Sequence, residues 1–304
     1  MKAVEHYFTQ LNEAAEQIEN SGQGTYLEGV VFGLERWLLN SVEFTPVDAS
    51  KEEKRRAIQL AILKGMRKSS QPNHQMTPDA LGMIVAFLVN ELTQEKEAIR
   101  LFDPAIGTGN LMYTVANYLQ GKEVEMYGSE IDELLLQLAS QTAELLNQPI
   151  ELFLQDSLRP LLLDPVDVTL SDLPVGYYPD DDHAATFELR GAQEHAYSHH
   201  LFIEQAMNYT KEGGSLLLFV PTNLFSSPEA ATLHGYLSRQ GQLEAVLQLP
   251  KEIFKTEASA KALIIIRKDS KKTLPKRDVL LAQVPSLSNK KSMELFFEKV
   301  RQWK

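Results

Sequence analysis

The sequence predicts an α/β fold: a mostly parallel sheet of seven strands with helices on both faces, behind a helical N-terminal domain. Three observations carry this expectation. From Met76 onward, short apolar segments alternate with segments of helical period, the pattern of strands joined by crossover helices. Four of the apolar segments run into an acidic residue: 98–102 into Asp103, 124–128 into Glu130, 150–154 into Asp156 and 166–170 into Asp172. Before residue 70 only helical spacing is present.

The elements follow in order. Leu11, Ala14, Ala15 and Ile18 share one helix face, as do Leu27, Val30, Val31, Leu34 and Leu38, and then Ile58, Ile62 and Met66. Phe8, Phe32, Trp37 and Phe44 read as core positions of this part. Ser69-Ser70-Gln71-Pro72-Asn73 reads as a linker, giving a helical cap domain over 1–70 and a second domain over 71–304. Thr77-Pro78 reads as an N-cap with proline at the first helical position, opening a helix through Leu88. Crossover helices are expected over 110–119 and 134–146, and the last three strands over 215–220, 243–249 and 262–266. No repeat or low-complexity tract interrupts the pattern.

Composition narrows the function. There is no cysteine, which excludes disulfides and thiolate metal sites. No apolar run approaches the roughly 20 residues that span a bilayer. The N-terminus is polar and acidic rather than signal-like, so a cytoplasmic protein with no membrane partner is expected. The net charge of -11 speaks against a surface built mainly for nucleic acid. Charge is uneven, however: Lys251 onward carries 14 Lys/Arg against 6 Asp/Glu. That stretch is either a local basic face or an ordinary solvated surface.

The chemistry concentrates in Asp103-Pro104-Ala105-Ile106-Gly107-Thr108-Gly109-Asn110. Two glycines there allow a tight strand-to-helix turn and close approach of a ligand to the backbone. In an open α/β sheet ligands bind outside the carboxyl ends of the strands. A glycine turn with four carboxylates on that rim suits a cationic, hydroxyl-bearing small molecule. S-adenosylmethionine, with its sulfonium, ammonium, ribose diol and adenine amine, fits. An ordinary glycine-rich turn and a dinucleotide site are the competing readings. Against the dinucleotide, the position of the third glycine of G-x-G-x-x-G holds Met112.

Gln75-Met76-Thr77-Pro78, the turn from Asp103 to Leu111, Gly128-Ser129-Glu130-Ile131 and Gln155-Asp156-Ser157 together resemble the amino-group DNA methyltransferases. They are most similar to the modification subunits of type I restriction systems. The resemblance continues through 199–207, 213–225 and 247–254, covering roughly residues 70 to 270 in order. It implies a class I, Rossmann-like methyltransferase fold that binds S-adenosylmethionine. By position, Thr77 and the turn from Ala105 to Asn110, with Gly107, Thr108 and Gly109, would hold the methionine end. Glu130 would hold the ribose. Asp156 would meet the adenine amine, and Met76, Asp103, Pro104, Leu111, Ile131, Ser157 and Asp172 would also bind the cofactor.

Ser171-Asp172-Leu173-Pro174-Val175-Gly176 occupies the place of the family's Asn/Asp-Pro-Pro-aromatic turn. An exocyclic amine conjugated to its ring is a poor nucleophile. A side-chain oxygen and a backbone carbonyl that accept its two N–H bonds localise the lone pair toward the methyl donor. The aromatic residue stacks on an extruded base. Asp172 and Pro174 are kept here. Leu173 replaces the first proline and Val175 the aromatic. The resemblance therefore assigns Asp172 as side-chain acceptor, Leu173 or Pro174 as carbonyl, and Tyr177 or Tyr178 as the ring. It implies an S-adenosylmethionine-dependent N-methyltransferase with adenine in nucleic acid as acceptor. The altered turn keeps a second reading open, a cofactor-binding interaction or regulatory module without effective catalysis. No target-recognition region is visible, so nucleic-acid binding by the chain alone is expected to be weak and not sequence-specific. A protein partner that supplies specificity fits that expectation. Asp180-Asp181-Asp182-His183 with His195, His199 and His200 invites a metal reading. With no glutamate in the spacer and no third fixed ligand, no metal is expected.

Overall fold

The strands are β1 (Ala98–Asp103), β2 (Glu123–Glu130), β3 (Ile150–Leu154), β4 (Val166–Asp172), β5 (Thr210–Pro221), β6 (Gly241–Gln248), β7 (Lys261–Lys268) and β8 (Leu280–Gln283). They form one sheet in the order β3-β2-β1-β4-β5-β7-β6-β8. β2 with β3, β1 with β4, β4 with β5 and β6 with β8 pair in parallel. β7 runs antiparallel to β5 and to β6. The computed structural model describes residues 2–42, 44–68, 76–192, 194–254, 256 and 259–303. The expected linker over 69–73 and Gln75 lie outside these residues, as does the expected boundary at 70/71.

The expected seven strands are eight. β8 has four residues, with Leu281 71% exposed. A segment so short and half-wet has no periodicity of its own and becomes a strand by pairing with the edge of β6. β5 begins at Thr210 rather than 215. The helix α4 (Asp79–Leu92) runs past Leu88. Its first intrahelical acceptor is the Pro78 carbonyl, which takes the Gly82 amide at 3.1 Å. Pro78 is thus the cap residue, and Asp79 rather than Pro78 opens the helix.

Two compact units are distinguished. The first comprises 1–86, 106–120 and 125–156. It contains α1 (Lys2–Asn20), α2 (Tyr26–Leu38), α3 (Lys51–Lys68), α5 (Asn110–Tyr118) and α6 (Glu133–Leu145). Thr25 and Glu28 form a reciprocal capping box at the start of α2, each satisfying an amide that the helix leaves unbonded. Leu11, Ala15, Leu27, Val30, Leu34, Ile58 and Ile62 share one core with Leu138 and Leu145 of α6. Tyr7, Trp37 and Phe44 stack, with ring centroids 4.0 Å apart for Tyr7–Trp37 and 5.2 Å for Trp37–Phe44. Phe8 packs against this core from a half-buried position. Phe32 lies beneath the Arg36 guanidinium, 4.2 Å from its ring centre.

α1 and α2 approach so closely that a Cβ on Gly29 would lie 2.6 Å from Ala15 Cα and 2.7 Å from Ala15 O. Backbone cannot yield as a side chain can. Gly29→Ala is expected to destabilise by about 1–3 kcal/mol, the cost of overpacking a tight core, despite alanine's better helix propensity. A thermal melt that rises on this substitution would show that the helices separate freely.

The second unit comprises 87–105, 121–124 and 157–304. Leu263 to Ile266 of β7 and Leu216 to Phe219 of β5 are fully buried, as continuous apolar runs in a covered sheet should be. Leu201 and Ala206 of α8 (Ser198–Asn208), with Leu233 and Leu237 of α9 (Ala230–Gln240), pack with Leu216, Leu218, Ile264 and Ile266. The short α7 (Asp181–Ala184) and the terminal α10 (Lys290–Trp303) complete the helices named here. Among the described residues, no helix is long and apolar enough to cross a membrane.

Candidate functional site

In the first unit, the chain forms a glycine turn ahead of α5. Gly107 (φ 54°) and Gly109 (φ 77°) both adopt the left-handed conformation, which glycine enters without steric cost. Their surroundings differ. A Cβ on Gly109 would meet the Tyr113 ring at 2.3 Å, whereas nothing lies within 4 Å of the corresponding point at Gly107. Gly109 is required by packing; Gly107 presents bare backbone to open space. The turn rests on β2, where the Ile106 amide donates to Ser129 O at 3.0 Å. Ile106 also covers Gly128, leaving no room there for a side chain.

Glu130, at the end of β2, reaches back to the turn. Its Oε2 accepts from the Gly107 amide at 2.9 Å. Its Oε1 accepts from the Ile131 and Asp132 amides at 2.9 and 3.0 Å. The carboxylate is thereby aimed by three backbone donors. Ile131 itself is exposed and contributes its amide. Leu111 is buried in the core.

Asn110 belongs to a buried polar network that the sequence reading missed. Arg55 of α3 is 2% exposed, and all five of its N–H bonds are used. Nε and Nη2 donate to Glu52 at 2.9 and 2.8 Å. Nη1 and Nη2 donate to Asp79 at 2.9 and 2.7 Å. Nη1 also donates to Asn110 Oδ1 at 2.7 Å. Asn110 Nδ2 in turn donates to Thr77 O at 2.9 Å and to Asp79 Oδ1 at 3.1 Å. Burial by itself would raise the Asp79 carboxyl. The Arg55 hydrogen bonds and charge, with Asn110 and Gln59, more than offset this and hold it below its ordinary value of 3.8. A small depression with about 10 Å³ of free space lies beside this network, lined by Arg55, Gln59, Met76, Thr108, Asn110 and Thr142 among others. Met76, Thr77, Thr108 and Asn110 are thus brought together. Asp156, just past β3, is half-buried.

In the second unit, Asp103 is 2% exposed and faces inward. Its Oδ1 accepts from the Ala105 amide at 3.0 Å and from Ser171 Oγ at 2.6 Å. Asp103 therefore holds the turn's entry against β4. Ser157 is also buried: its hydroxyl donates to Pro104 O at 2.5 Å, and its carbonyl accepts from Gln205 of α8 at 2.6 Å.

The turn after β4 carries the second feature the sequence did not reveal. Lys261, the first residue of β7, donates from Nζ to Asp172 Oδ1 at 2.5 Å and to the Leu173 carbonyl at 3.1 Å. Pro174 and Val175 are exposed, and Leu173 is fully buried. Tyr178, one of the two candidate rings, is 8% exposed and packs into the core. Tyr177 is 59% exposed and stacks on Tyr197 with centroids 4.7 Å apart. Of the two, only Tyr177 offers a face to a ligand.

The histidines divide. His195 lies outside α8, so it shares no helix face with His199, and it pairs with Asp181 at 2.9 Å. His183 Nε2 meets Leu158 O at 3.0 Å. Burial first, then His200 and the Lys261 charge, push His199 down to about 3, so it is neutral near pH 7. Among the described residues, no group of three or more His, Asp or Glu is placed to hold a metal.

Comparison with known proteins adds to this geometry. Residues 68–302 match the model of the N-6 DNA methylase family. The uncharacterized protein YtxK of Bacillus subtilis strain 168 is 41% identical, over 96% of this chain and 95% of its own length. The crystal structure of a candidate class I S-adenosylmethionine-dependent methyltransferase from Listeria monocytogenes superposes with a TM-score of 0.93 at 38% identity, covering 99% of each chain. A type I restriction-modification methyltransferase subunit from Streptococcus thermophilus shares the fold, with a TM-score of 0.65 at 16% identity over 98% of this chain and 74% of its own. The glycine turn, the acids at the strand ends and a family match over most of the length lead to one conclusion: the chain belongs to the N-6 DNA methylase family and has the class I methyltransferase fold.

Proposed function

We propose that this chain binds S-adenosylmethionine and transfers a methyl group to an exocyclic amine, with adenine in nucleic acid as the acceptor. One observation carries the reading. The turn after β4 offers a carboxylate oxygen and a backbone carbonyl that close on a single primary amine, that of Lys261, at 2.5 and 3.1 Å. Two acceptors converging on one nitrogen are what amine activation requires.

The residues of the glycine turn fit the cofactor. Gly107 exposes its backbone where any Cβ would project into open space, and Glu130 is aimed at that turn by three amides. Thr77, Ala105 to Asn110 and Glu130 would hold the methionine end and the ribose, and Asp156 the adenine amine. The cofactor, when bound, supplies an electrophilic methyl on a sulfonium. The chain's own part is to hold the amine: Asp172 Oδ1 and the Leu173 carbonyl accept its N–H bonds and so localise its lone pair. Tyr177 takes over the stacking surface that Val175 does not provide. Support for a nucleic-acid substrate comes from the family. Sequence specificity would come from a protein partner.

Calorimetry with S-adenosylmethionine and S-adenosylhomocysteine, followed by transfer of radiolabelled methyl to DNA, RNA or protein, tests the reading. No heat and no melting shift at millimolar ligand would sink it. Glu130→Ala is expected to weaken cofactor binding by about 1.5–3 kcal/mol, the scale of charged hydrogen bonds. Because Glu130 also satisfies three backbone amides, a small loss of stability should accompany this. Binding as tight as wild type would remove Glu130 from the ribose. A second reading, a cofactor-binding module without effective catalysis, is favoured by the replacement of the family's proline and aromatic with Leu173 and Val175. Firm cofactor binding with no transfer to any acceptor would select it.

A further inference from the structure

We infer that Lys261 is a specificity-determining residue that occupies the amine site and excludes neutral amines until it is displaced. The inference rests on reading the Asp172 turn as that site. The lysine is placed by sheet register rather than by a loose loop. Asp172 of β4 lies opposite Phe219 of β5, and Lys261 of β7 lies opposite Pro221 of the same β5. From this strand start the side chain reaches across the end of β5, and its ammonium meets Asp172 and the Leu173 carbonyl at once. Both side chains of the ion pair are largely shielded, at 22% and 23% exposure. These are the same two oxygens that an acceptor amine needs.

An ammonium binds such a pair more strongly than a neutral aromatic amine, because its hydrogen bond to the carboxylate joins two opposite charges. An incoming adenine amine brings no charge to compensate. His199, close enough to feel the Lys261 charge, is buried and neutral, and so adds no second positive charge beside the ion pair. The lysine thus acts as a resident competitor for the turn, which sets how readily any amine is admitted.

Two measurements on the full chain test this. The first is the rate of reductive methylation of individual lysines with labelled formaldehyde, read by peptide mass spectrometry. Lys261 should react at least tenfold more slowly than the exposed Lys271 and Lys276, and Asp172→Asn should remove that protection. The second is adenosine binding in the presence of S-adenosylhomocysteine. Lys261→Met, which keeps the stem and deletes the charge, should bind adenosine at least tenfold more tightly than wild type. Lys261 labelling as fast as the exposed lysines, or no gain in adenosine affinity for a Lys261→Met chain that melts cooperatively and binds the cofactor, would overturn the inference. Absence of cofactor heat in wild type would count against the proposed function instead. The labelling rates would still decide whether Lys261 sits on Asp172.

Discussion

Asp172→Ala is expected to lower methyl transfer roughly 100- to 1,000-fold, the usual cost of losing one preorganised polar group in an active site. In the proposed function the carboxylate is one of the two acceptors of the amine; the other is backbone and cannot be deleted. S-adenosylmethionine affinity should fall far less than turnover. The comparison is best made in the Lys261→Met background as well as in wild type, because the lysine holds the oxygens that the proposed function assigns to the substrate amine. Adenine methylation that is equally fast with and without the Asp172→Ala substitution would show that the amine does not sit at this turn.

Arg55→Leu carries the largest expected loss of stability. The guanidinium is 2% exposed and bridges Glu52, Asp79 and Asn110 with five donors. Breaking a buried ion pair by removing one partner costs about 3–5 kcal/mol, because the remaining charge is left uncompensated. Glu52 and Asp79 are part-exposed, with 42% and 28% of their side-chain surface accessible, so solvent screens them and a loss of about 3 kcal/mol is expected. Cofactor binding should weaken as well, since Asn110 and Thr77 lose the network that orients them. The effect has a pH signature. The folded-state Asp79 carboxyl lies below its unfolded value of 3.8, so its contribution is fully present above that pH and is lost as pH falls through the folded value. Denaturant melts of wild type and variant should therefore differ at neutral pH and begin to converge only as pH falls below about 4. A constant difference down to about pH 2 would place the energy of this network elsewhere.

Much of the candidate site's geometry was legible because its requirements are local. Gly107 and Gly109 sit in left-handed conformations that few other residues adopt, and Glu130 meets the Gly107 amide from the end of its strand. The four acids at strand ends were found in order, yet they do not share one role. Asp103 points inward to the Ala105 amide and the Ser171 hydroxyl, while Glu130 is tied to the turn. A carboxylate at a strand end reads the same in sequence whether it clamps a turn or faces a ligand. Tyr177 and Tyr178 were likewise indistinguishable. Their alternation puts one ring in the core and one outside, and only packing decides which.

The sequence by itself determined the α/β class, the strands from β1 to β7, the turn between β1 and α5, and the departure of Leu173 and Val175 from the family's catalytic turn. These follow from periodicity, glycine conformation and residue type at short range. Tertiary structure alone decided the eighth strand, the Arg55 network and the occupation of Asp172 by Lys261. The physical reason is distance along the chain. Arg55 finds Asp79 and Asn110 across 24 and 55 residues, and Lys261 finds Asp172 across 89. A charged side chain carries no mark of its partner until strand order and register bring the two within hydrogen-bonding distance.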